Sequence, residues 1–425
     1  MAKPKLALIP AAQGDKFYSV LPSDGVGDFQ FSRLSSGTRI APTGLIETVP
    51  IATSRLNYDL LNGKVVNCPH YLLEPASTNL ATYSEAFSNG YWTKEKTSIT
   101  SSAVISPDGT LSASKLVEDS SNGLHRTYSN LITTAQNNDY TSSVFAKKGG
   151  RNIFGIQTSS SAQPYVWFNL DKGIIELQQS NIVGKIESLP NGWYKCSATW
   201  NSSSATNDRV FIQLAKSTSN TSYTGDGTSG IYLWGAQFEQ SSYPTSYIPT
   251  TGTAITRAAE SANGSGDAAT FNDSEGVLMA EISALSDDGA ESAIAIGNGT
   301  YDERVIIYTF NNYIYAFVFV GGANVFSLGT TEYNVKESNK IALKYKSGDY
   351  SIYINGIEKN SSTSTFTPSG LDRLNFNDSV SGLKFYGKTR EVQYFDSALT
   401  DAQLETLTSW TSLQEMITSQ LYTNY

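Results

Sequence analysis

The sequence predicts an all-β protein built from two antiparallel β-sandwiches, and three observations lead there. Tyr and Phe, at 25 and 18 of 425 residues, are abundant, whereas long runs of Ala, Leu, Glu and Lys are missing. Aromatic residues suit a pleated, half-buried surface, and the missing types are the strong helix formers. Short apolar–polar alternations recur, each bounded by Gly, Asn, Asp or Pro, which is the pattern of paired strands and turns. The length also exceeds what a single ordinary core supports. Pro244 and Pro249 close a strand-rich region, so a boundary near residue 250 separates one all-β unit from the next.

Taken in order, residues 1–79 read as an N-terminal arm. KLALIPAA is a short apolar run, and FYSVLPSDGVGDFQFSR alternates at Phe29 and Phe31 around Gly-rich turns. From Ser35 to Asn79, Gly, Pro and Asn break the chain repeatedly, with no sustained helical period. Residues 80–250 read as the first sandwich. Asp108-Gly109 marks a hairpin turn, Gly149-Gly150 joins two strands, and Asp171-Lys172-Gly173 turns the hairpin inside PYVWFNLDKGIIELQQ. The closing strands concentrate Trp193, Trp200 and Trp234, which alternation assigns to the core. In IYLWGAQFE, Ile231, Leu233, Ala236 and Phe238 share one face if Gly235 supplies a bulge.

Residues 251–273 are small and polar and read as a linker or an extended edge. Residues 274–399 repeat the all-β pattern, with hairpins at Asn311-Asn312, Gly321-Gly322 and Ser347-Gly348-Asp349. Residues 400–425 carry the one strong helical signal. Thr400 and Gln403 make a capping box, and Leu404, Leu407, Trp410, Leu413, Ile417 and Leu421 fall on one side. Such a helix packs on its own sandwich or, beyond Trp410, against copies of itself in an oligomer.

Four segments carry a family resemblance: LLEPASTNLATYSEAFSNGYW from Leu72 to Trp92, PDGTLSASKLVED from Pro107 to Asp119, WYKC from Trp193 to Cys196, and LWGAQFEQSSYPTSYIPT from Leu233 to Thr250. Over roughly residues 38–257 the chain resembles a carbohydrate-binding-like jelly-roll domain found in structural and fibre proteins of tailed bacteriophages. The resemblance implies a virion protein whose N-terminal region docks to other virion proteins. Further on, IALKYKSGDYSIYINGIE followed by GLKFYGKTREVQYFDSALTDAQLETL resembles the concanavalin A-like, laminin G-like fold, in which an Asn-Gly turn precedes a late strand and a short helix. That fold serves lectins, hydrolases and plain structural modules, so it implies architecture and not ligand.

Charge and motifs narrow the function classes. With a net charge of −9 and no basic cluster beyond Lys147-Lys148, neither a nucleic-acid surface nor an anionic-membrane surface is expected. No charged-then-apolar leader and no run of about 18 apolar residues appears, so neither a signal peptide nor membrane insertion is expected. A protein assembled in a cytoplasm and released by lysis would need neither. GxSxG, HExxH and phosphate-loop patterns are absent, which favours a protein that is not an enzyme. His70 and His125 lack ligand-type neighbours and read as structural. Cys68 and Cys196 sit in no CxxC spacing and read as buried thiols, with pairing left open.

Sugar recognition asks for flat aromatic faces beside polar groups. Tyr91, Trp92, Tyr165, Trp167, Tyr313 and Tyr315 are the candidates by residue type, although alternation buries about half of such residues. Calcium is the cofactor considered, because laminin G-like domains often hold one on loop carboxylates; Asp226, Asp287 and Asp288 are the corresponding positions. The resulting expectation is a head fibre, tail fibre or decoration protein on the phage exterior. It would bind host-surface glycan and form a homo-oligomer, with a trimer suggested by the C-terminal helix and the habit of fibres. The alternatives are a polysaccharide-degrading spike using a carboxylate pair, and a purely architectural virion protein.

Overall fold

The computed structural model describes residues 3–10, 19–158, 165–202, 206–287, 289, 292–380 and 382–410, and these residues form an all-β protein with one short helix. In the first sandwich, one sheet runs Thr97–Val104, Ala113–Glu118, Gly230–Glu239, Asp139–Lys148, Tyr194–Asn201, Ile182–Ser188. Facing it, the second sheet runs Ile174–Gln178, Tyr165–Asn169, Ile153–Gln157, Phe211–Ala215, Arg126–Ser129, Trp92–Glu95. All pairings are antiparallel.

Gly235 does supply the bulge. Its φ is 61°, and the register slips between the Ser143–Gln237 and Phe145–Trp234 pairs. The extra residue restores phase, so Ile231, Leu233, Ala236 and Phe238 all enter the core between the sheets. Trp234 points the other way, onto Phe145, Trp193 and Tyr247. Ile40, Ile46 and Leu60 from the N-terminal region cap that outward cluster. The Asp108-Gly109 hairpin forms as expected between Thr97–Val104 and Ala113–Glu118. Gly149-Gly150 does not close a hairpin. The strands on either side lie in different sheets, and the glycines turn a corner where Tyr232 leaves no room for a side chain at Gly149.

The second sandwich packs a five-stranded sheet, Ala323–Thr330, Tyr313–Val320, Arg304–Phe310, Ser292–Gly297, Arg373–Asn375, against a nine-stranded one. The larger sheet contains Glu275–Ala284, Asn339–Lys346, Tyr350–Ile354, Ile357–Ser362 and Gly387–Phe395. It also recruits N-terminal segments. Leu6–Leu8 pairs with Gly387–Phe395 and buries Leu6 and Leu8 in the core, Phe29 joins the same core, and the hairpin Leu56–Leu61/Lys64–Leu73 pairs with the other end of that last strand. The segments read as an arm are therefore built into the second sandwich, because their short apolar runs match an open edge there.

The stretch read as a linker is also anchored. Ile255–Arg257 pairs with Ser77–Asn79 and Ser261–Asn263 pairs with Gln30–Ser32, and Arg257 at the end of the first strand and Glu260 just before the second are buried charges. Arg33 binds Glu260 at 2.7 Å, Arg55 binds Glu74 at 2.8 Å and also Glu260, and Arg257 binds Glu74 at 3.0 Å. All five side chains are essentially inaccessible to solvent. Despite burial, the paired arginines hold the Glu74 carboxyl well below the usual carboxylate range. Ser246 of the first sandwich joins them, its Oγ accepting from Arg55 at 2.7 Å and Arg257 at 3.0 Å and donating to Glu74 at 2.6 Å, so this network fastens the N-terminal region, the first sandwich and the linker to one another.

The helix spans Asp401–Ser409 with the expected capping box: the Gln403 N–H donates to Thr400 Oγ1, and the Thr400 N–H donates to Gln403 Oε1 at 2.9 Å. Leu404, Leu407 and Trp410 pack on the outer face of the large sheet with Val277, Met279 and Phe395. This is the helix packed on its own sandwich. The residues beyond Trp410, where the sequence allows an oligomer contact, lie outside the described residues.

Candidate functional site

The strand Tyr313–Val320 reads YIYAFVFV, and its burial alternates strictly from Tyr313 to Phe319. Ile314, Ala316 and Val318 enter the core, which leaves Tyr313, Tyr315, Phe317 and Phe319 on the outer face. Asn311 and Asn312, with φ of 47° and 60°, make a tight turn that sets Tyr308 directly opposite Tyr315.

Five rings thus form one row. Tyr308 stacks on Tyr315 with centroids 4.7 Å apart, Tyr313 on Tyr315 at 5.2 Å, and Tyr315 on Phe317 at 6.0 Å, all within 16° of parallel. Phe319 follows Phe317 at 5.8 Å. Each stacked pair adds about 0.5–1.5 kcal/mol beyond its buried area, so the rings hold one another in place. The ring of Tyr315 also lies over Gly329 on the next strand, where a Cβ would come within 2.8 Å of it. At the far end the Arg304 guanidinium sits 4.7 Å from the Phe319 centroid and 4.9 Å from that of Tyr301, and Tyr301 is itself exposed. Tyr313 is 38% exposed, while the other four rings of the row are half-buried. Ser327 and Asn324, both exposed, pair with Phe317 and Phe319 and border the row with polar groups. A row of rings edged by hydroxyls and amides matches the amphipathic faces of sugars.

The other sequence candidates fall elsewhere. Trp92 is 1% exposed and sits with Tyr91 in the first sandwich core, where its indole N–H donates to Tyr83 O at 2.8 Å. Neither ring offers a face to a ligand: Trp92 enters the core from the first position of its strand, and Tyr91, in the turn just before it, packs edge to face on Trp92. Trp167 lies on the outer face of its sheet but over Gly155, packed with Ile153, Ala215 and Tyr165, and is 6% exposed. Tyr165 beside it is half-buried. Only Tyr313 and Tyr315 are thus brought together in an accessible row. Sequence reading missed Tyr308, Phe317 and Phe319, although the i, i+2 spacing and the Asn-Asn turn contain the signal.

The acidic candidates are engaged locally. Asp226 Oδ1 accepts the Ser229 and Thr228 N–H groups at 2.6 and 2.8 Å, and the Ser229 side chain together with these backbone groups holds its carboxyl well below the usual range. Asp287 pairs with Lys336 at 3.0 Å, and Asp288 lies outside the described residues. Among the described residues, no group of three or more His, Cys, Asp or Glu is placed to hold a metal ion. His125 sits with its ring nitrogens 2.8 and 3.0 Å from Lys96 O and Tyr223 O, and His70 is buried beside Asp59. Cys196 is free and buried, and burial pushes its thiol well up; the Cys68 side chain lies outside the described residues.

A cleft of about 1190 Å³ opens between the sandwiches, lined by Tyr58, Lys185, Tyr194, Tyr243, Asp287 and Lys388 among others. Several of its charges neutralise each other across short distances: Lys185 with Glu187 at 2.8 Å, Lys388 with Asp59 at 2.8 Å, and Lys336 with Asp287.

No family model matches the chain, and no curated protein matches it. Similarity to solved structures is partial. The CBM40 module of Ruminococcus gnavus IT-sialidase bound to alpha2,3 sialyllactose is 18% identical over 34% of this chain and 92% of its own, with a TM-score of 0.30. A Bacteroides ovatus protein described as a carbohydrate-binding candidate is 16% identical over 64% and 80%, with a TM-score of 0.25. Sheep galectin-11 in complex with glycerol is 11% identical over 30% and 86%, with a TM-score of 0.19. Likenesses of this extent bear on neither ligand nor activity.

Proposed function

We propose that the chain is a structural protein displayed on the exterior of a bacteriophage particle, as a head fibre, tail fibre or decoration, and that it holds host-surface glycan on the aromatic row without breaking bonds. The observation that carries the glycan part is the pre-stacked row Tyr308, Tyr313, Tyr315, Phe317 and Phe319 on an outward sheet face. Rings already held in place lose little freedom when a sugar stacks on them. The particle context rests on the resemblance of residues 38–257 to phage structural proteins. A weak single site suits that setting, since many copies on one particle convert low affinity into avidity. Attachment to other virion proteins falls to residues 1–79, where Leu34 and Ile51 are highly exposed apolar side chains.

Glycan-array binding of the intact protein tests the reading, with Tyr315→Ala as comparison. The expected result is a set of retained glycans whose signal drops at least tenfold in the variant, with polysaccharides recovered at their original length. Equal retention by both proteins would remove the row from the function. If the rings become accessible to a site-specific label in the free protein but not on particles, the protein is architectural instead.

A further inference from the structure

We propose that the outer face of the first sandwich is a second binding site, specific for a carboxylate-bearing saccharide. The face belongs to the sheet containing Phe211–Ala215 and Arg126–Ser129. Ile212, Leu214 and Thr127 turn inward, so Phe211, Gln213, Arg126 and Tyr128 turn outward, with Arg126 opposite Gln213 and Tyr128 opposite Phe211. Gln157 pairs with Phe211 on the other side.

Two guanidinium groups stand on this aromatic floor. Tyr128 and Phe211 have centroids 5.0 Å apart; Arg126 lies 4.9 Å from the Phe211 centroid and 5.8 Å from that of Tyr128, and Arg209 lies 5.2 Å from that of Tyr128. Stacking fixes both planes, so little side-chain entropy remains to be lost on binding. Arg126 gives only its Nε–H to Glu95, at 2.7 Å, and Arg209 gives Nη1 to Ser129 O at 2.9 Å. Among the described residues the remaining N–H groups of both forks have no protein acceptor, and Arg209 makes no ion pair.

Charge sets this face apart. The chain carries a net charge of −9, yet here two arginines stand on one sheet face, with Glu95 paired to Arg126 and the buried Asp208 carboxylate accepting the Arg209 backbone N–H at 2.7 Å. A guanidinium fork matches a carboxylate in shape and charge, and arginine does this better than lysine. Gln213, opposite Arg126, is 5% exposed and lies under this face, its amide donating to Thr221 O at 3.5 Å. The strands span about 4.8 Å each, so a sugar chain lying across four of them would cover roughly 14 Å of arginine, aromatic and amide groups. A nucleic acid would need a longer basic track than two arginines provide.

The test is titration of the full-length protein with acidic oligosaccharides prepared from polygalacturonate, alginate and hyaluronate, each beside the same oligomer with its carboxyls reduced to alcohols. At least one acidic oligomer should bind, its reduced form at least tenfold more weakly, with affinity falling as salt rises from 50 to 200 mM. Arg126→Gln and Arg209→Lys should each lose roughly tenfold at unchanged melting temperature; Arg209→Lys keeps the charge and removes the fork. Tyr315→Ala should leave acidic binding intact, which separates this site from the row on the second sandwich. Binding of none of the three acids, equal binding of acid and reduced forms, or loss of acidic binding in Tyr315→Ala with both arginine variants unchanged, would each overturn the proposal.

Discussion

Two outward aromatic clusters, one on each sandwich, are treated in opposite ways. On the first, Phe145, Trp193, Trp234 and Tyr247 leave the sheet face but meet Ile40, Ile46 and Leu60, and their indole N–H groups find acceptors: Trp193 donates to Ile105 O and Trp234 to Ser112 Oγ, each at 3.1 Å. On the second, Tyr308, Tyr313, Tyr315, Phe317 and Phe319 leave the sheet in the same manner and remain half-exposed. Strand periodicity is the same in both. The difference is a cover supplied by residues far away in sequence, and that cover is held by Arg33 and Arg55 against Glu260 and Glu74. An aromatic row becomes core or platform according to what lies over it.

The largest expected effect comes from releasing the cover. Glu260→Ala strands Arg33 as a buried charge and leaves Arg55 with Glu74 alone, and breaking a buried pair in this way costs about 3–5 kcal/mol. Denaturant unfolding should show that loss together with increased fluorescence quenching of Trp193 and Trp234. A midpoint within error of the parent would mean the network does not hold the cover. Next in size is Trp234→Ala, at about 3–4 kcal/mol for a capped ring. Tyr315→Ala should cost about 1.5 kcal/mol, from three stacking contacts each at the low end of their range, while taking the larger share of glycan binding. Were the two substitutions equal in stability cost, the distinction between capped and open rows would fail.

Much of this was legible in the sequence, for identifiable reasons. Both sandwiches, the Gly235 bulge, the Asn311-Asn312 turn and the Thr400 cap follow from local rules: alternation, positive-φ residues, and a side chain that caps its own helix. What could not be read were pairings between distant segments. Leu6–Leu8 joins a strand that ends almost 390 residues later, and nothing local in KLALIPAA announces Gly387–Phe395 as its partner. Arg33, Arg55, Glu74, Arg257 and Glu260 are scattered singly among polar stretches and look like solvated surface until the fold gathers them. The candidate site divides likewise. The adjacent turn left Tyr313 evenly balanced between core and surface, whereas Trp92 required knowing which way its strand faces and Tyr91 how the preceding turn folds.

The smallest effect near neutral pH, and the one that most finely tests the cover, involves His70. Its strand, Lys64–Leu73, belongs to the hairpin lying between the sandwiches, and the ring is fully buried. Burial pushes the imidazole down to about 4, with Lys388 and Arg390 adding to the shift, while Asp59 at 3.5 Å opposes it; Asn57 is the neutral neighbour, 3.2 Å from Nε2. The folded value lies below the ordinary 6.5, so as pH falls the unfolded chain takes up the proton first. Stability from the neutral ring is therefore complete above pH 6.5 and is lost as pH falls toward 4. Glu74, whose carboxyl is depressed, adds its own loss only below its ordinary value of 4.5. Unfolding midpoints measured from pH 7 to 4.5 should decline in the parent and decline less in His70→Gln, which has no buried imidazole to protonate on unfolding. Parallel curves would show that the hairpin holds its place whatever the charge on His70, leaving the arginine network as the sole fastening of the cover.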